Sequence, residues 1–550
     1  RRVAFDAENP PEIIVVGAGV AGLTAALHLA ERGLPVRVLE ADALYAGGRL
    51  WGGVPHLPPR ADAHLSPLSP GERGKGPGVG GEVTLTLRGH TQTFYPEHGI
   101  HGLWNNYQNL RATLERFRVA PDIVPAREQA WVHAEGERVQ WAEVGRLISY
   151  ATLPPPLHYL ELFGSHRFLA MLGLRDWLAL PWVWRSLLLA VALDPFERVI
   201  PLEGQALEDF FQGWSPRLRA MFVGLARSGL ASYDDQITLA AFLAALRFYS
   251  VLRRDSLRFV YFARDAGAEL IDPLVARLLE RDGELLLGHT AEALLPRPDG
   301  RPGWGVRVTT PRGPRTFLAD QVVLAVDAPA AERLLTESEA TRPLAAGLRW
   351  PAGLPNGTVR VWLDKPPRDG PEGGIFTGDF SVDNFFWLER IQPEYATWAR
   401  ATGGSAIEMH LYRPPAFFAQ PDAVILACAV QDLYRAYPEV RGHVVHQVLQ
   451  RNPAVHTRLT VYPAQFWLGV ETPWPALWTC GDWVRGPWPA LFIERACVSG
   501  LEAANAVLRA VGQAPFPLAA YDSPEWLAAR LQRWMLGGRA WLRSLSARRR

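Results

Sequence analysis

The chain has 550 residues, of which 48% are hydrophobic and 21% are charged, a composition typical of a globular protein with two or three domains. Its 57 basic residues nearly cancel its 56 acidic ones, so we expect no nucleic-acid partner. The three cysteines, Cys428, Cys480 and Cys497, are odd in number and lack a metal-binding spacing. This argues against a disulfide scaffold and a zinc site, and it favours a reducing, cytoplasmic compartment.

A glycine-rich loop near the N-terminus lies between a predicted strand and a predicted helix. Residues 12–16 are apolar and β-branched, as in a buried parallel strand, and residues 23–32 are strong helix formers. The first glycine permits a tight turn, the second lets the backbone approach a pyrophosphate, and the third lets helix and strand pack closely. The N-terminus of the helix presents N–H groups to phosphates. The predicted nucleotide-binding residues are Gly17, Gly19, Val20, Ala21 and Gly22.

A second predicted strand, residues 35–40, ends in an acidic residue. Glu40 can accept hydrogen bonds from both hydroxyls of a ribose and would repel a 2′-phosphate, which disfavours NADP. Strand, loop, helix, strand and acid in this order predict a dinucleotide site. A second glycine cluster, residues 76–81, has no strand before it and no helix after it, so we predict that residues 65–81 form a flexible loop insertion.

Six residues separate Glu40 from the sequence Gly47-Gly48-Arg49. This arrangement resembles the second fingerprint of the superfamily of flavin-containing amine oxidases and carotenoid desaturases. The two glycines would bring the chain close to the pyrophosphate, and Arg49 would add a cation to it. The resemblance implies that the dinucleotide is FAD.

A segment near the C-terminus resembles the late flavin motif of the same superfamily. A predicted strand ends at Gly481 and Asp482, and a helix follows from residue 492. The resemblance implies that Asp482 holds a ribityl or pyrophosphate oxygen. It also implies that the backbone of Ile493 and Glu494 starts a helix pointed at O2 and N1 of the flavin, where negative charge develops on reduction.

The middle of the chain would complete this domain. Residues 267–274 precede a predicted helix that ends at Glu280, and residues 284–295 and 319–326 are predicted strands. The resemblance implies that the backbone near Thr290 and Ala291 pairs with the adenine.

We therefore expect an α/β fold with a Rossmann-type, glutathione-reductase-like FAD-binding domain and a discontinuous α+β substrate domain. Residues 113–260 are predicted to be mostly helical, and the runs 357–363, 405–412 and 423–430 are predicted strands. The expected FAD-binding domain consists of residues 1–112, 261–344 and 466–522, the substrate domain of residues 113–260 and 345–465, and a basic amphipathic tail of residues 523–550.

The stretch from Phe94 to Leu110 contains Glu97, His98, Gly99 and His101. It resembles the aromatic-carotenoid branch of the superfamily, whose members desaturate a β-ionone ring and shift a methyl group. The resemblance implies that Gly99 lies beside the flavin and that His98 or His101 lies near N5. Both histidines can instead be structural, or ligands of a metal for which no third ligand is evident, so no catalytic residue and no metal site is assigned.

Three functions remain open. The first is an FAD-dependent desaturase of a carotenoid or related isoprenoid, with oxygen or a quinone as electron acceptor and possible aromatisation of the β-ring. The second is an amine oxidase, many of which place a lysine near N5, although the lysines of this chain, Lys75 and Lys365, fit that position poorly. The third is a flavin-free, prenyl-binding escort-type protein, in which the flavin determinants would be lost.

Two segments are candidates for contact with a membrane, where a polyene substrate resides. Residues 157–193 combine tryptophans and leucines with scattered arginines, interrupted too often for a spanning helix. The tail places Trp526, Leu527, Leu531, Trp534 and Met535 near helical spacing among arginines, as in an interfacial helix. The alternative for the tail is a helix packed on the FAD-binding domain. We expect a peripheral protein on the inner face of the membrane.

Overall fold

A computed structural model of the chain describes residues 11–51, 82–196, 202, 205–461 and 468–547. The predicted loop insertion at residues 65–81, with Lys75, lies outside the described residues, as do residues 548–550 of the tail. The strands are β1 Ile13–Val16, β2 Val36–Glu40, β3 Val83–Leu87, β4 His90–Phe94, β5 Gly102–Trp104, β6 Ile123–Pro125, β7 Gln129–Glu135, β8 Arg138–Glu143, β9 Phe259–Phe262, β10 Glu284–Leu287, β11 Thr290–Pro296, β12 Trp304–Thr310, β13 Gly313–Ala319, β14 Gln321–Leu324, β15 Gly353–Leu363, β16 Gly373–Gly378, β17 Asn384–Trp387, β18 Ser405–Leu411, β19 Val444–Thr457 and β20 Leu477–Thr479.

The helices connect these strands, and a run of five of them, α3 to α7, lies between β8 and β9 in the chain. They are α1 Val20–Glu31, α2 Gln108–Arg116, α3 Gly145–Ser149, α4 His166–Met171, α5 Leu174–Ala192, α6 Pro216–Leu230, α7 Leu239–Leu246, α8 Asp272–Leu279, α9 Ala328–Glu337, α10 Arg342–Ala345, α11 Pro393–Thr402, α12 Pro415–Phe418, α13 Asp422–Ala436, α14 Phe492–Ala510 and α15 Trp526–Ala547.

The nucleotide-binding half of the molecule is built on a parallel sheet with the strand order β10-β2-β1-β14-β20. The central strand β1 is buried at all of its positions, as its unbroken apolar sequence predicts. Its strands come from the beginning, the middle and the end of the chain. The predicted α/β fold with a Rossmann-type domain is confirmed.

Helices α1 and α14 pack against each other on one face of this sheet. A Cβ atom at Gly500 of α14 would lie 2.3 Å from the carbonyl oxygen of Ala21 in α1, so only glycine allows the two backbones to come this close. This contact joins the first turn of α1 to the middle of α14, although the two helices are far apart in sequence.

The prediction of one strand over residues 284–295 was wrong. The chain forms two strands in different sheets, because Gly288 between them adopts a φ of +69° and turns the backbone. β10 belongs to the parallel sheet, whereas β11 is an edge strand of a small antiparallel sheet with the order β11-β12-β13. Upstream, the helix before Glu280 begins earlier than predicted, with a π-helical turn at Gly267–Ile271 that continues into α8.

A larger sheet carries the other half of the molecule. Its order is β19-β15-β18-β17-β16-β7-β8, and its pairings are antiparallel except for β16 with β7. The predicted strands at residues 357–363 and 405–412 are present as β15 and β18. Strands β7 and β8 come from the region that was predicted to be mostly helical, so that prediction was incomplete.

The predicted strand at residues 423–430 was wrong, because this segment lies within helix α13. Its buried residues follow the period of a helix: Ile425, Ala429, Asp432, Leu433 and Ala436. The apolar members of this set belong to the core beneath β15 and β19, and the half-buried Leu426, Val430 and Tyr434 pack against its edge. A short apolar run has the same composition in a strand and in a buried helix, which explains the error.

The C-terminal helix α15 packs beside α5. Ala528 is buried, and Leu527, Leu531 and Met535 are half-buried, whereas Trp526 and Trp534 are exposed. The predicted apolar residues of the tail therefore divide between a face that packs on the protein and a face that does not. Among the helices that the structure describes, none is both long and apolar enough to cross a bilayer.

Candidate functional site

A single cavity of ≈ 2160 Å³ begins at the glycine loop after β1 and continues to the helical layer and the larger sheet. Its lining includes most of the residues that the sequence predicts for FAD binding. Those that line it are Gly17, Gly19, Val20, Ala21, Glu40, Gly47, Gly48, Arg49, Gly99, Ala291, Gly481, Asp482 and Ile493, together with His98 and His101. Gly22 and Glu494 have other roles.

The glycine loop is packed so tightly that side chains are excluded. Gly17 has a φ of +104°, and a Cβ atom there would lie 2.6 Å from the carbonyl oxygen of Ala325. A Cβ atom at Gly22 would lie 2.0 Å from the carbonyl oxygen of Gly17, so Gly22 packs helix against loop rather than lining the cavity. Gly19 precedes the first residue of α1, whose first N–H groups have no acceptor within the helix. This is the geometry of an anion site.

Glu40 lies at the end of β2 with its carboxylate beside the loop. It accepts hydrogen bonds from the N–H of Ala18 at 2.8 Å and from the N–H of Asp42 at 2.9 Å. Burial raises the pKa of Glu40. Each oxygen keeps a further lone pair, so the carboxylate can also accept hydrogen bonds from a ribose.

The three predicted flavin-binding segments meet in space. The N–H of Gly47 donates to the carbonyl oxygen of Ala18 at 2.9 Å, which joins the second segment to the glycine loop. A guanidinium nitrogen of Arg49 lies 2.8 Å from Oδ2 of Asp482, which joins the second segment to the third. Thr457 on β19 donates to Oδ1 of Asp482 at 3.0 Å. Segments separated by more than 400 residues therefore form one site.

The late turn after β20 is shaped as the motif predicts. Gly481 has a φ of +138°, which favours glycine, and α14 begins soon afterwards, with Ile493 in its first turn. The side chain of Glu494 is buried away from the cavity. It accepts hydrogen bonds from the N–H groups of Asn109 and Leu110, in the first turn of α2, and from the hydroxyl of Tyr521. Glu494 thus caps α2 in addition to its place at the start of α14.

The segment predicted to contact adenine lies beside Glu40. The N–H of His289 donates to the carbonyl oxygen of Glu40 at 2.8 Å, and Thr290 and Ala291 follow along the cavity. Ala291 pairs with Val308, and the register of β11 shifts between Ala291 and Ala293.

His98 and His101 lie together with their ring centroids 4.7 Å apart. Burial, together with the charges of His101 and Arg49, lowers the pKa of His98 well below its usual value, so His98 is neutral. Nδ1 of His98 is buried and has no hydrogen-bond partner among the described residues. His101 lies 3.4 Å from the buried carboxylate of Glu97, whose pKa is raised by burial.

Sequence reasoning missed a group of polar residues on β18 and beyond. His410 and Tyr412 line the cavity, and Glu408 lies behind them in contact with Arg360 of β15. A Cβ atom at Gly99 would lie 3.4 Å from the ring of His410, so this group faces the loop that contains His98. A buried strand with Glu and His at alternate positions was the available signal, but alternation does not show which face borders a cavity.

The residues present fit FAD. Gly19 and Gly48 border open space, because the protein atoms nearest to an added Cβ there lie 3.9 and 3.7 Å away. A larger residue at either position would fill this space with its side chain. Arg49 and the first turn of α1 supply positive charge for a pyrophosphate, Glu40 supplies an acceptor for a ribose, and the unpartnered Nδ1 of His98 lies in the wall of the same cavity.

The described residues give less support to a metal site or to a covalent bond between the protein and the flavin. They contain no group of three or more His, Cys, Asp or Glu side chains that could hold a metal ion. Cys497, close to the flavin helix motif, is buried against Thr24 and Thr113, and burial raises the pKa of its thiol to about 12. It does not line the cavity, so nothing in its position favours a covalent bond to a flavin.

Comparison with protein families agrees with this geometry. The family of flavin containing amine oxidoreductases matches residues 85–508, and the family of FAD dependent oxidoreductases matches residues 12–66. Since the first match spans more than half of the chain, the protein belongs to the flavin-containing amine oxidoreductase family. It is an FAD-dependent oxidoreductase.

Within that class, the chain is similar to a carotenoid phi-ring synthase from Streptomyces griseus, with 29% identity over 531 residues, which cover 92% of this chain and 89% of the relative. A second carotenoid phi-ring synthase, from Chlorobaculum tepidum, is 30% identical over 163 residues, 29% of this chain and 25% of the relative. The fold resembles that of cyclohexylamine oxidase from Brevibacterium oxydans, with a TM-score of 0.60, 13% identity and coverage of 92% of this chain and 100% of that one.

Proposed function

We propose that the protein is an FAD-dependent desaturase of a carotenoid or a related polyene, and that it aromatises a β-ring. The observation that carries the proposal is the continuity of the cavity, which joins the nucleotide site to a chamber walled by aromatic side chains. These include Trp104, Tyr107, Trp131, Tyr159, Phe222, Tyr249, Phe259, Tyr261 and Phe386. Such a wall suits a long apolar polyene. One of the two relatives named carotenoid phi-ring synthase also matches most of the chain.

We assign the FAD-binding residues as the sequence predicts them, with the helix start at Ile493 and Glu494 contributing backbone. When bound, FAD accepts a hydride from the substrate. The chain itself binds the pyrophosphate through the glycine loop and Arg49, orients the ring of the substrate against the loop of His98 and Gly99, and excludes water with the aromatic wall. As part of this proposal we keep the division into an FAD-binding and a substrate domain at the boundaries predicted from the sequence. Oxygen or a membrane quinone is the proposed electron acceptor.

The amine oxidase alternative has less support. Of the two lysines in the sequence, Lys365 donates to the carbonyl oxygen of Glu439 at 2.9 Å and does not line the cavity. A flavin-free escort protein is also disfavoured, because the Arg49–Asp482 pair and the glycine loop are present and adjoin each other.

A turnover assay tests the proposed activity. The FAD-loaded protein is supplied with β-carotene, other carotenoids or a panel of primary amines, with a redox dye whose absorption lies outside that of the polyenes. Reduction of the dye with a carotenoid, together with a desaturated or aromatised product on chromatography, is the expected result. Dye reduction with amines alone would support the second function, and no reduction with any carotenoid would contradict the proposal.

We also propose that the protein binds a membrane surface through α5 and α15. On α5, Leu174 and Leu178 are 77% and 68% exposed and lie one turn apart, followed by the exposed Trp182. On α15, Trp526 and Trp534 are exposed on the same face as Arg530 and Arg533. Exposed leucine and tryptophan beside arginine is the composition of an interfacial surface, and each arginine adds about 1 kcal/mol near an anionic leaflet.

A further inference from the structure

We propose that Tyr412 and His410 accept the proton that the substrate loses during desaturation, and that Glu408 is the positioning residue that makes this possible. The proposal rests on the proposed function, because it assigns the base for that reaction. These three residues belong to a chain of polar contacts that ends at the cavity wall, and the sequence motifs assign none of them a role.

The chain of contacts runs from the protein interior to the cavity. Nε of Arg360 donates to Oε2 of Glu408 at 2.7 Å, and Nε2 of His410 lies 2.6 Å from Oε1 of Glu408. Nδ1 of His410 lies 3.0 Å from the hydroxyl of Tyr412. His410 and Tyr412 line the cavity, whereas Glu408 is fully buried.

The charge of Glu408 fixes the tautomer of His410. Burial opposes ionisation of Glu408, but Arg360, His410 and the N–H of Ile100, which donates at 2.6 Å, outweigh it and lower its pKa to about 2. A carboxylate can only accept, so Nε2 of His410 carries the proton. Nδ1 is then left as an acceptor for the hydroxyl of Tyr412. Burial raises the pKa of Tyr412, which keeps the phenol protonated.

The neighbouring groups leave this histidine as the base of the cluster. Across the loop, His98 is neutral and His101 is engaged by Glu97, whose own pKa is raised. From β15, Arg360 is paired with Glu408, and from β17 the ring of Phe386 lies 5.3 Å from that of His410. The arrangement resembles other acid–histidine pairs, in which a carboxylate orients an imidazole and stabilises its protonated form.

FAD, held by the glycine loop and Arg49, would supply the oxidant by taking a hydride, with two electrons, from a ring carbon of the substrate. A neighbouring C–H bond then breaks, and its electron pair becomes the new double bond. The released proton goes to the hydroxyl oxygen of Tyr412 while the phenolic proton passes to Nδ1 of His410, whose positive charge lies beside the carboxylate of Glu408.

Two variants, Tyr412→Phe and His410→Asn, test the relay. We expect each to lower kcat for the carotenoid by about 100-fold or more, the usual effect of removing a general base, with FAD content unchanged. Added imidazole should restore part of the activity of His410→Asn and leave the activity of the control variant, His443→Gln, unchanged. His443→Gln is the matched control, because His443 is a half-exposed histidine paired with Asp364 outside the cavity.

A second measurement does not depend on turnover. In 15N NMR spectra of histidine-labelled protein, the His410 signal, identified by its loss in His410→Asn, should show the proton on Nε2. A proton on Nδ1, or variants that keep kcat within threefold of the parent, would overturn the relay while leaving the proposed function intact. A parent enzyme that turns over no carotenoid would instead overturn the proposed function, and the relay with it.

Discussion

Asp482 contacts both Arg49 and Thr457, so it holds the late turn against the second flavin-binding segment. The Asp482→Ala variant should bind FAD at least tenfold more weakly, because Arg49 would lose its partner and the flavin an acceptor. Flavin absorbance relative to protein absorbance in the purified variant measures this. Asp422→Ala, which removes an exposed partner of Arg451, is the control and should keep full flavin content. Equal flavin content in both variants would contradict the assignment.

Gly22 shows how little space the nucleotide loop leaves. An alanine there would place Cβ 2.0 Å from the carbonyl oxygen of Gly17 and 3.0 Å from the side chain of Ala325. We expect Gly22→Ala to lose flavin and to lower the free energy of unfolding by about 1–3 kcal/mol, the usual cost of overpacking. Urea denaturation checks the second effect. Gly164→Ala, where no atom lies within 4 Å of the added Cβ, should change neither, and similar losses in both variants would point to a general effect of alanine.

The residues predicted from sequence are those whose role depends on local backbone geometry. Gly17, Gly48 and Gly481 adopt positive φ, and their spacing from strands and helices is visible in the sequence. His410 and Arg360 were not predicted, because their importance depends on which face of a sheet borders the cavity. That depends on packing between distant segments, which a single sequence does not display.

At the scale of elements, the errors fall where apolar runs are short. Helix α13 was predicted as a strand because eight or so apolar residues fit either structure until their neighbours are known. β10 and β11 were predicted as one strand because the turn at Gly288 was not recognised. The Rossmann elements were predicted well, since their strands are buried on both faces and their loop has a defined glycine spacing. The cap that Glu494 provides to α2 joins elements far apart in sequence, so no local pattern indicates it.

Helix α1 carries a buried histidine that makes stability depend on pH. His28 lies between the rings of Phe117 and Phe516, and burial lowers its pKa from 6.5 to about 4. Below pH 6.5 the unfolded chain takes up a proton that the folded protein does not, so stability falls as the pH falls from 6.5 towards 4. The difference corresponds to about 3 kcal/mol for this residue.

We therefore expect His28→Gln to lose less stability than the parent when the pH is lowered through this range. Urea denaturation of both proteins at neutral pH and near the lower limit of the range measures the difference. His443→Gln, at a half-exposed site, should follow the parent. Parallel loss of stability in the parent and in His28→Gln would show that the histidine does not titrate as proposed.

At the scale of the whole molecule, helices α5 and α15 pack together, and each carries exposed apolar side chains. A protein with Leu178→Ser and Trp534→Ser should bind anionic vesicles at least tenfold more weakly, because it removes two of the most exposed apolar side chains of the surface. Co-sedimentation with vesicles measures binding. Leu344→Ser, which removes a leucine 55% exposed on α10, is the control. Removal of residues 524–550 should have at least as large an effect, and undiminished sedimentation of both proteins would exclude this surface as the anchor.

The sequence predicts which distant segments meet only where those segments carry motifs for the same cofactor. The glycine loop, the Gly47–Gly48–Arg49 segment and the Asp482 turn each imply the same cofactor, so their meeting in space could be expected before the structure was known. The order of the larger sheet, in which β7 and β8 lie beside β16, could not be expected, because β7 pairs with a strand more than 200 residues later.

A single anaerobic turnover tests whether one FAD site opens directly onto a polyene chamber. FAD-loaded protein is mixed with an equimolar carotenoid in the absence of any electron acceptor, and the polyene is extracted before the flavin spectrum is recorded. We expect one reduced flavin for each double bond formed in the extracted product. A desaturated product with the flavin still oxidised, or a flavin that amines reduce and carotenoids do not, would contradict it.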